Sequence, residues 1–156
     1  MGLIFLLWIC IAAVSDALYR KVFNWLAILG GFAAFISLWA YPELHPVNIS
    51  LYDGLLGGFS GFFVLLIFYV LKMMGAGDVK FAASLGFWVG WELLLPIWAL
   101  SCGFAVIHGV VVKSGLKYFF SPSTNWEGRF EERRRKFIPY VTYLSISAVI
   151  VLIMSK

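Results

Sequence analysis

The sequence predicts an all-α polytopic membrane protein with six transmembrane helices, both termini extracytoplasmic and a short fourth helix. Three observations carry that expectation: composition, the length of the apolar runs, and the placement of basic residues. The 156 residues are 62% hydrophobic and only 13% charged, with a mean hydropathy of +0.92, whereas soluble domains carry about 25% charged residues. The bilayer consumes nearly all of the chain, so residues 1–156 read as a single transmembrane domain without a separate soluble catalytic module. The formal charge of +4 comes from basic residues interspersed between apolar spans, which is a topology signal rather than a nucleic-acid footprint. Nucleic acid is therefore excluded as a partner, and the lipid bilayer is the implied one.

A membrane-spanning helix needs about 20 apolar residues. The first run, residues 2–19, has no basic segment before it, so it is expected to stay in the mature protein rather than act as a cleaved signal. No myristoylation pattern follows Met1, because the sixth residue is neither Ser nor Thr. The second helix is expected at about 22–41, with Asn24 as its cap, and the third at about 53–72, with Asp53 capping its start. The stretch between Asp78 and Lys113 is too long for one span and short for two. The side each basic residue would occupy decides between them. Six crossings put Arg20, Lys21, Lys72, Lys80, Lys113, Lys117, Arg129, Arg133, Arg134, Arg135 and Lys136 on the cytoplasmic side, 11 of the 12 basic residues, while five would split them. A fourth helix at about 79–91, a fifth at about 93–112 and a sixth at about 138–155 follow.

The outer connections are then residues 41–52, with Glu43 and His45, and a tight turn near Trp91, Glu92 and Pro96. Trp25, Trp39, Trp88, Trp91 and Trp98 fall near span ends and read as an interfacial aromatic belt. The cytoplasmic loop 113–137 mixes Tyr118, Phe119, Phe120 and Trp126 with Arg129 and the Arg133 to Lys136 cluster. Such a segment is amphipathic and suits an anionic membrane surface. Cys10 and Cys102 lie in apolar runs without a CxxC and read as small buried hydrophobes. Glu43, His45 and Glu92 are too scattered to bind a metal, so neither metal nor cofactor is expected.

Two carboxylates in so apolar a chain demand a role, since an ionisable group at membrane depth is costly unless paired or wet. Asp16 lies near the inner end of the first helix. Asp78 opens the fourth, at the same side and similar depth. A pair of carboxyl groups sharing a proton supports hydrolysis: one takes a proton from water while the other polarises the scissile carbonyl. The two sit at opposite kinds of helix terminus, which supplies the asymmetry this chemistry needs. Gly75 and Gly77 are expected to let the backbone turn sharply and to admit Asp16 or an extended substrate. Lys80 reads either as a substrate contact or as a topology-setting cation. Asp16 alone would read as an interface residue paired with Arg20 at (i, i+4). His108 reads as a structural hydrogen bond within the bundle.

Asp16, followed by Arg20, Lys21 and then Val22, Phe23, Asn24, resembles the pattern of an aspartate, one or two basic residues and an Ile-Pro-Asn-like triplet. Gly75-Ala76-Gly77-Asp78-Val79-Lys80 resembles a GxGDxK signature, and Ile138-Pro139-Tyr140 a Pro-aromatic start to the last helix. Together these resemble the type IV prepilin peptidase family of GxGD aspartyl proteases, with the small size nearest to the TadV/CpaA-like, peptidase-only branch. The resemblance implies an aspartic endopeptidase of the bacterial inner membrane, multi-pass, with its active site facing the cytoplasm. It would remove a short basic leader, after a glycine, from type IV or Flp prepilins or pseudopilins. It implies Asp16 and Asp78 as the catalytic pair, with Gly75, Gly77, Lys80, Arg20 and Asn24 binding substrate or shaping the loop. Phe23 replaces the usual proline of the triplet. The cysteine tetrad of bifunctional members has no counterpart, so N-methylation of the product is not expected. A homo-oligomer is compatible with this architecture.

A rival of another class is a small proton-coupled membrane transporter using the paired carboxylates. Both aspartates read as near the inner surface rather than the midplane, and no inverted repeat is evident, which disfavours it. A presenilin-like protease is disfavoured by the absence of a Pro-Ala-Leu motif in a late span.

Overall fold

The computed structural model describes residues 2–19, 22–72, 74–113 and 140–155. These form five α-helices, α1 (Gly2–Tyr19), α2 (Asn24–Ala40), α3 (Leu51–Val70), α4 (Ala76–Lys113) and α5 (Tyr140–Met154), with a 3-10 turn at Pro42–Leu44 between α2 and α3. The loop 113–137 falls almost wholly outside the described residues, as do Arg20, Lys21, Ile138 and Pro139. By length and composition, Gly2–Tyr19, Leu51–Val70 and Ala76–Val110 are long and apolar enough to cross a membrane, while Asn24–Ala40 and Tyr140–Met154 are shorter apolar helices.

The helix starts have local causes. Ser50 caps α3: the Asp53 N–H donates to its Oγ at 3.1 Å, and the Asp53 carboxylate reaches back to the Ser50 N–H at 3.3 Å. Asp53 thus has the capping role expected of it, in the reciprocal arrangement that satisfies two orphan donors. Asn24 does not cap α2. The residue before the helix is Phe23, without a side-chain bond, and Asn24 lies inside the first turn with its carboxamide directed elsewhere.

The separate fourth and fifth helices expected from sequence are two arms of one element, residues 76–89 and 91–113, interrupted at Gly90. Its φ of 75° and ψ of 174° are non-helical and essentially reserved for glycine. The neighbours of α3 show how the chain turns there. Gly54 and Gly58 meet Phe87 and Gly61 meets Ala82, so the first arm runs antiparallel to α3; Gly61 also meets Leu94, and Phe68 packs on Trp98 with ring centroids 5.8 Å apart. Past Gly90, the chain runs back the other way along α3. The expected turn near Trp91 therefore falls one residue early.

An interrupted helix leaves carbonyls without amide partners. His45 serves one of them: its Nε2 lies 2.9 Å from the Trp88 carbonyl and its Nδ1 3.0 Å from Ser37 Oγ. A carbonyl only accepts, so Nε2 carries the hydrogen and Ser37 donates to Nδ1. The ring is buried and stacks on the Trp88 indole, with centroids 5.3 Å apart. Burial holds the His45 imidazole pKa below its ordinary value.

Close packing replaces the hydrophobic drive that helices lack in lipid. A Cβ on Gly57 would strike the Gly86 carbonyl, and one on Gly86 the Gly57 carbonyl, so α3 and the first arm of α4 touch backbone to backbone. Trp88 is fully buried and donates its Nε1–H to the Gly30 carbonyl at 3.0 Å. Trp8 donates to the Leu26 carbonyl at 2.8 Å and fills the space a Cβ on Gly30 would need. Trp88 is thus a core residue and no part of an aromatic belt, whereas Trp25, Trp39 and Trp91 are exposed. Cys10 is also exposed, on the outer face of α1, rather than buried, and Cys102 is half-buried.

The bundle has two distinct ends. An open cavity of about 980 Å³ at one end is lined by Gly2, His45, Asp53, Gly90, Glu92 and Ser155 among others, so the start of α1, the Gly90 turn and the finish of α5 lie together. Asp16, Asn24, Asp78 and Tyr140 belong to the helix ends opposite.

Candidate active site

Asp16 lies one turn before the end of α1 and is 4% exposed. Part of its environment is supplied by α5. The Thr142 N–H, free because it belongs to the first turn of that helix, donates to Asp16 Oδ2 at 3.0 Å, and the Thr142 hydroxyl lies 3.3 Å from the same oxygen. A carboxyl at the trailing end of one helix therefore meets the leading end of another, an arrangement the position of Asp16 in its own helix does not reveal.

Asp78 is the third residue of α4 and half-buried. Gly75, just ahead of the helix, donates its N–H to Asp78 Oδ2 at 3.1 Å, and the Asp78 N–H donates to the Gly75 carbonyl at 3.1 Å. Asp78 and Asp16 lie at the same end of the bundle, within reach of each other's charge. Tyr140, at the head of α5, lies within reach of Asp78 and shares a 3.2 Å hydrogen bond with Ser101 on the second arm of α4. Four stretches of chain thus converge on the carboxylates: the end of α1, the start of α4, its returning arm and the start of α5.

The accompanying residues divide. Lys80 Nζ donates to Asn24 Oδ1 at 3.1 Å, tying the first turn of α4 to that of α2, and both side chains are exposed. A Cβ on Gly77 would lie 3.4 Å from the Val22 carbonyl oxygen, and one on Gly75 3.4 Å from Asp78 Oδ2. Neither glycine has a positive φ; among the described residues of this connection it is Lys72 that is left-handed, at φ 58°. Their role here therefore does not depend on the left-handed backbone that glycine allows. Arg20 lies outside the described residues. His108 makes the structural hydrogen bond expected of it, its Nδ1 2.7 Å from Tyr143 Oη. Among the described residues no three His, Cys, Asp or Glu side chains gather as a metal site.

Sequence reasoning missed Thr142. Its one signal is a hydroxyl in the first turn of the last span, level with Asp16 once the spans are laid side by side. Chemically, two neighbouring carboxyl groups on an otherwise apolar scaffold can share one proton and act as base and acid together.

The sequence model of the type IV leader peptidase family matches residues 3–110, more than half of the chain and including both aspartates. A prepilin leader peptidase/N-methyltransferase from Pectobacterium carotovorum subsp. carotovorum is 28% identical over 120 residues, covering 72% of this chain and 38% of its own length. The chain thus spans well under half the length of that relative. No solved structure matches. On the extent of the family match, the chain belongs to the type IV leader peptidase family.

Proposed function

We propose that this protein is an aspartic endopeptidase that removes a short basic leader from type IV or Flp prepilin-like proteins at the cytoplasmic face of the inner membrane. Six crossings, counting the two arms of α4 separately, would put both termini outside and Asp16 and Asp78 inside. The observation that carries the reading is that Asp16 and Asp78 lie at the same end of the bundle, within reach of each other's charge, in a chain whose family is that of leader peptidases. In this mechanism one carboxylate accepts a proton from the attacking water, and the other, as the acid, donates to the carbonyl oxygen of the scissile peptide. Gly75 and Gly77 leave room for an extended backbone beside Asp78, and Lys80 and Asn24 hold the heads of α4 and α2 in register. Flp-type substrates follow from the likeness to the TadV/CpaA-like branch. A proton-coupled transporter finds no support in the family match.

Co-expression with a prepilin, followed by the mobility shift that accompanies leader loss, tests this. Wild type is expected to shorten the prepilin, and Asp16→Ala and Asp78→Ala to leave it intact. Equal processing by all three would overturn the aspartyl mechanism.

A further inference from the structure

The first turn of α5 contributes a contact to the carboxylate pair that neither aspartate motif contains. Two donors from one residue converge on one oxygen: the Thr142 N–H at 3.0 Å and the Thr142 hydroxyl at 3.3 Å, both toward Asp16 Oδ2. The hydroxyl also lies 3.2 Å from the carbonyl of Ala13, on the preceding turn of α1. One hydroxyl hydrogen serves one acceptor at a time, and an ionised carboxylate is the stronger of the two. With Asp16 ionised, the hydroxyl points to Oδ2; with Asp16 neutral, it can turn to Ala13.

A carboxylate oxygen offers about two acceptor sites. With both hydrogens of Thr142 on Oδ2, the ionised Asp16 carboxylate is held in one orientation at the head of α5. We propose that Thr142 is a positioning residue: through its two hydrogen bonds to Oδ2 it holds the Asp16 carboxyl in the orientation used during cleavage. This rests on Asp16 acting as half of the aspartyl pair. Thr142 touches neither water nor substrate in this role; it acts through Asp16. Removing its hydroxyl leaves the backbone donor in place but takes away one of the two hydrogen bonds on Oδ2, so the carboxyl is held less firmly and the productive orientation is less populated. Substrate binding does not depend on this orientation.

The test uses the full-length protein in detergent with a purified prepilin as substrate, and variants Thr142→Val, Thr142→Ala, Thr142→Ser and Asp16→Asn. Valine matches threonine in shape without the hydroxyl. The expected result is a fall in kcat of about tenfold for Thr142→Val and Thr142→Ala, the scale of losing one hydrogen bond to a charged group. KM should stay within about twofold, and Thr142→Ser should recover kcat to within about twofold. The infrared carboxyl band that disappears in Asp16→Asn should shift in Thr142→Val and keep its position in Thr142→Ser. Wild-type kcat together with an unmoved band in Thr142→Val would overturn the proposal. So would a Thr142→Ser protein as impaired as Thr142→Val at unchanged thermal stability, because the methyl group rather than the hydroxyl would then matter. An active Asp16→Asn protein would fail the aspartyl reading instead, and the position of the infrared band would still report whether Thr142 holds Asp16.

Discussion

Asp78 and Gly75 close the first turn of α4 on each other, the Gly75 N–H donating to Asp78 Oδ2 and the Asp78 N–H to the Gly75 carbonyl, each at 3.1 Å. This is one half of a capping box, so Asp78 has a structural task beside its proposed chemical one. The two separate cleanly. Asp78→Asn keeps an oxygen for the Gly75 N–H but cannot act as a carboxylate, so it is expected to abolish leader removal while shifting thermal unfolding little. Asp78→Ala should abolish leader removal and also cost about 1 kcal/mol, as a lost cap does. Activity retained by Asp78→Asn would leave Asp78 a cap only.

His45 gives the fold a pH dependence. Its buried imidazole has a folded pKa below the ordinary value of 6.5, so on acidification the unfolded chain takes up the proton first. Stability is therefore full above the unfolded value and declines as pH falls through it toward the folded one. Unfolding followed from about pH 8 to about pH 5 should show wild type losing stability at the acid end, and His45→Gln should show a shallower decline. Parallel curves would remove His45 as the cause.

The glycines of α3 and α4 are not equivalent. Gly86→Ala drives a Cβ into the Gly57 backbone, where neither neighbour can yield, and should destabilise by about 1–3 kcal/mol or more. A Cβ on Gly103, farther along α4, meets nothing within 4 Å, so Gly103→Ala should be neutral or stabilising by up to about 1 kcal/mol. Unfolding of the two purified variants side by side checks this, and equal stabilities would contradict the backbone contact.

Lys80 and Asn24 should behave as a unit. Both are exposed, so a double-mutant cycle of Lys80→Met and Asn24→Ala should give a stability coupling below about 1 kcal/mol. Their effects on leader removal should coincide and fail to add, since either change releases the same tie between α2 and α4. Fully additive losses would mean that the two meet the substrate separately.

Much of the bundle was legible in the chain because run length and charge placement are one-dimensional signals. Apolar stretches of about twenty residues, bounded by Lys72, Asp78 or Asp53, marked the helices to within a few residues, and Asp16 and Asp78 stood out as carboxylates where burial is expensive. Asp53 was legible as a cap because a capping box spans only four residues. Asn24 was misread as one because its oxygen is claimed by Lys80, 56 residues away.

Which face of each helix points inward was not legible. In water, an amphipathic stripe separates core from surface; in lipid, both faces are apolar and that contrast vanishes. Trp88 therefore looked no different from Trp39, although one is fully buried and the other 75% exposed. The sequence by itself determined that the chain is a helical membrane protein with two carboxylates near span ends. Only the tertiary structure decided that Gly90 folds α4 back on α3, that His45 receives the carbonyl this leaves, and that Thr142 holds Asp16. Each of these depends on hydrogen bonds and backbone contacts between residues dozens to more than a hundred positions apart, and no local pattern of residues encodes such distances.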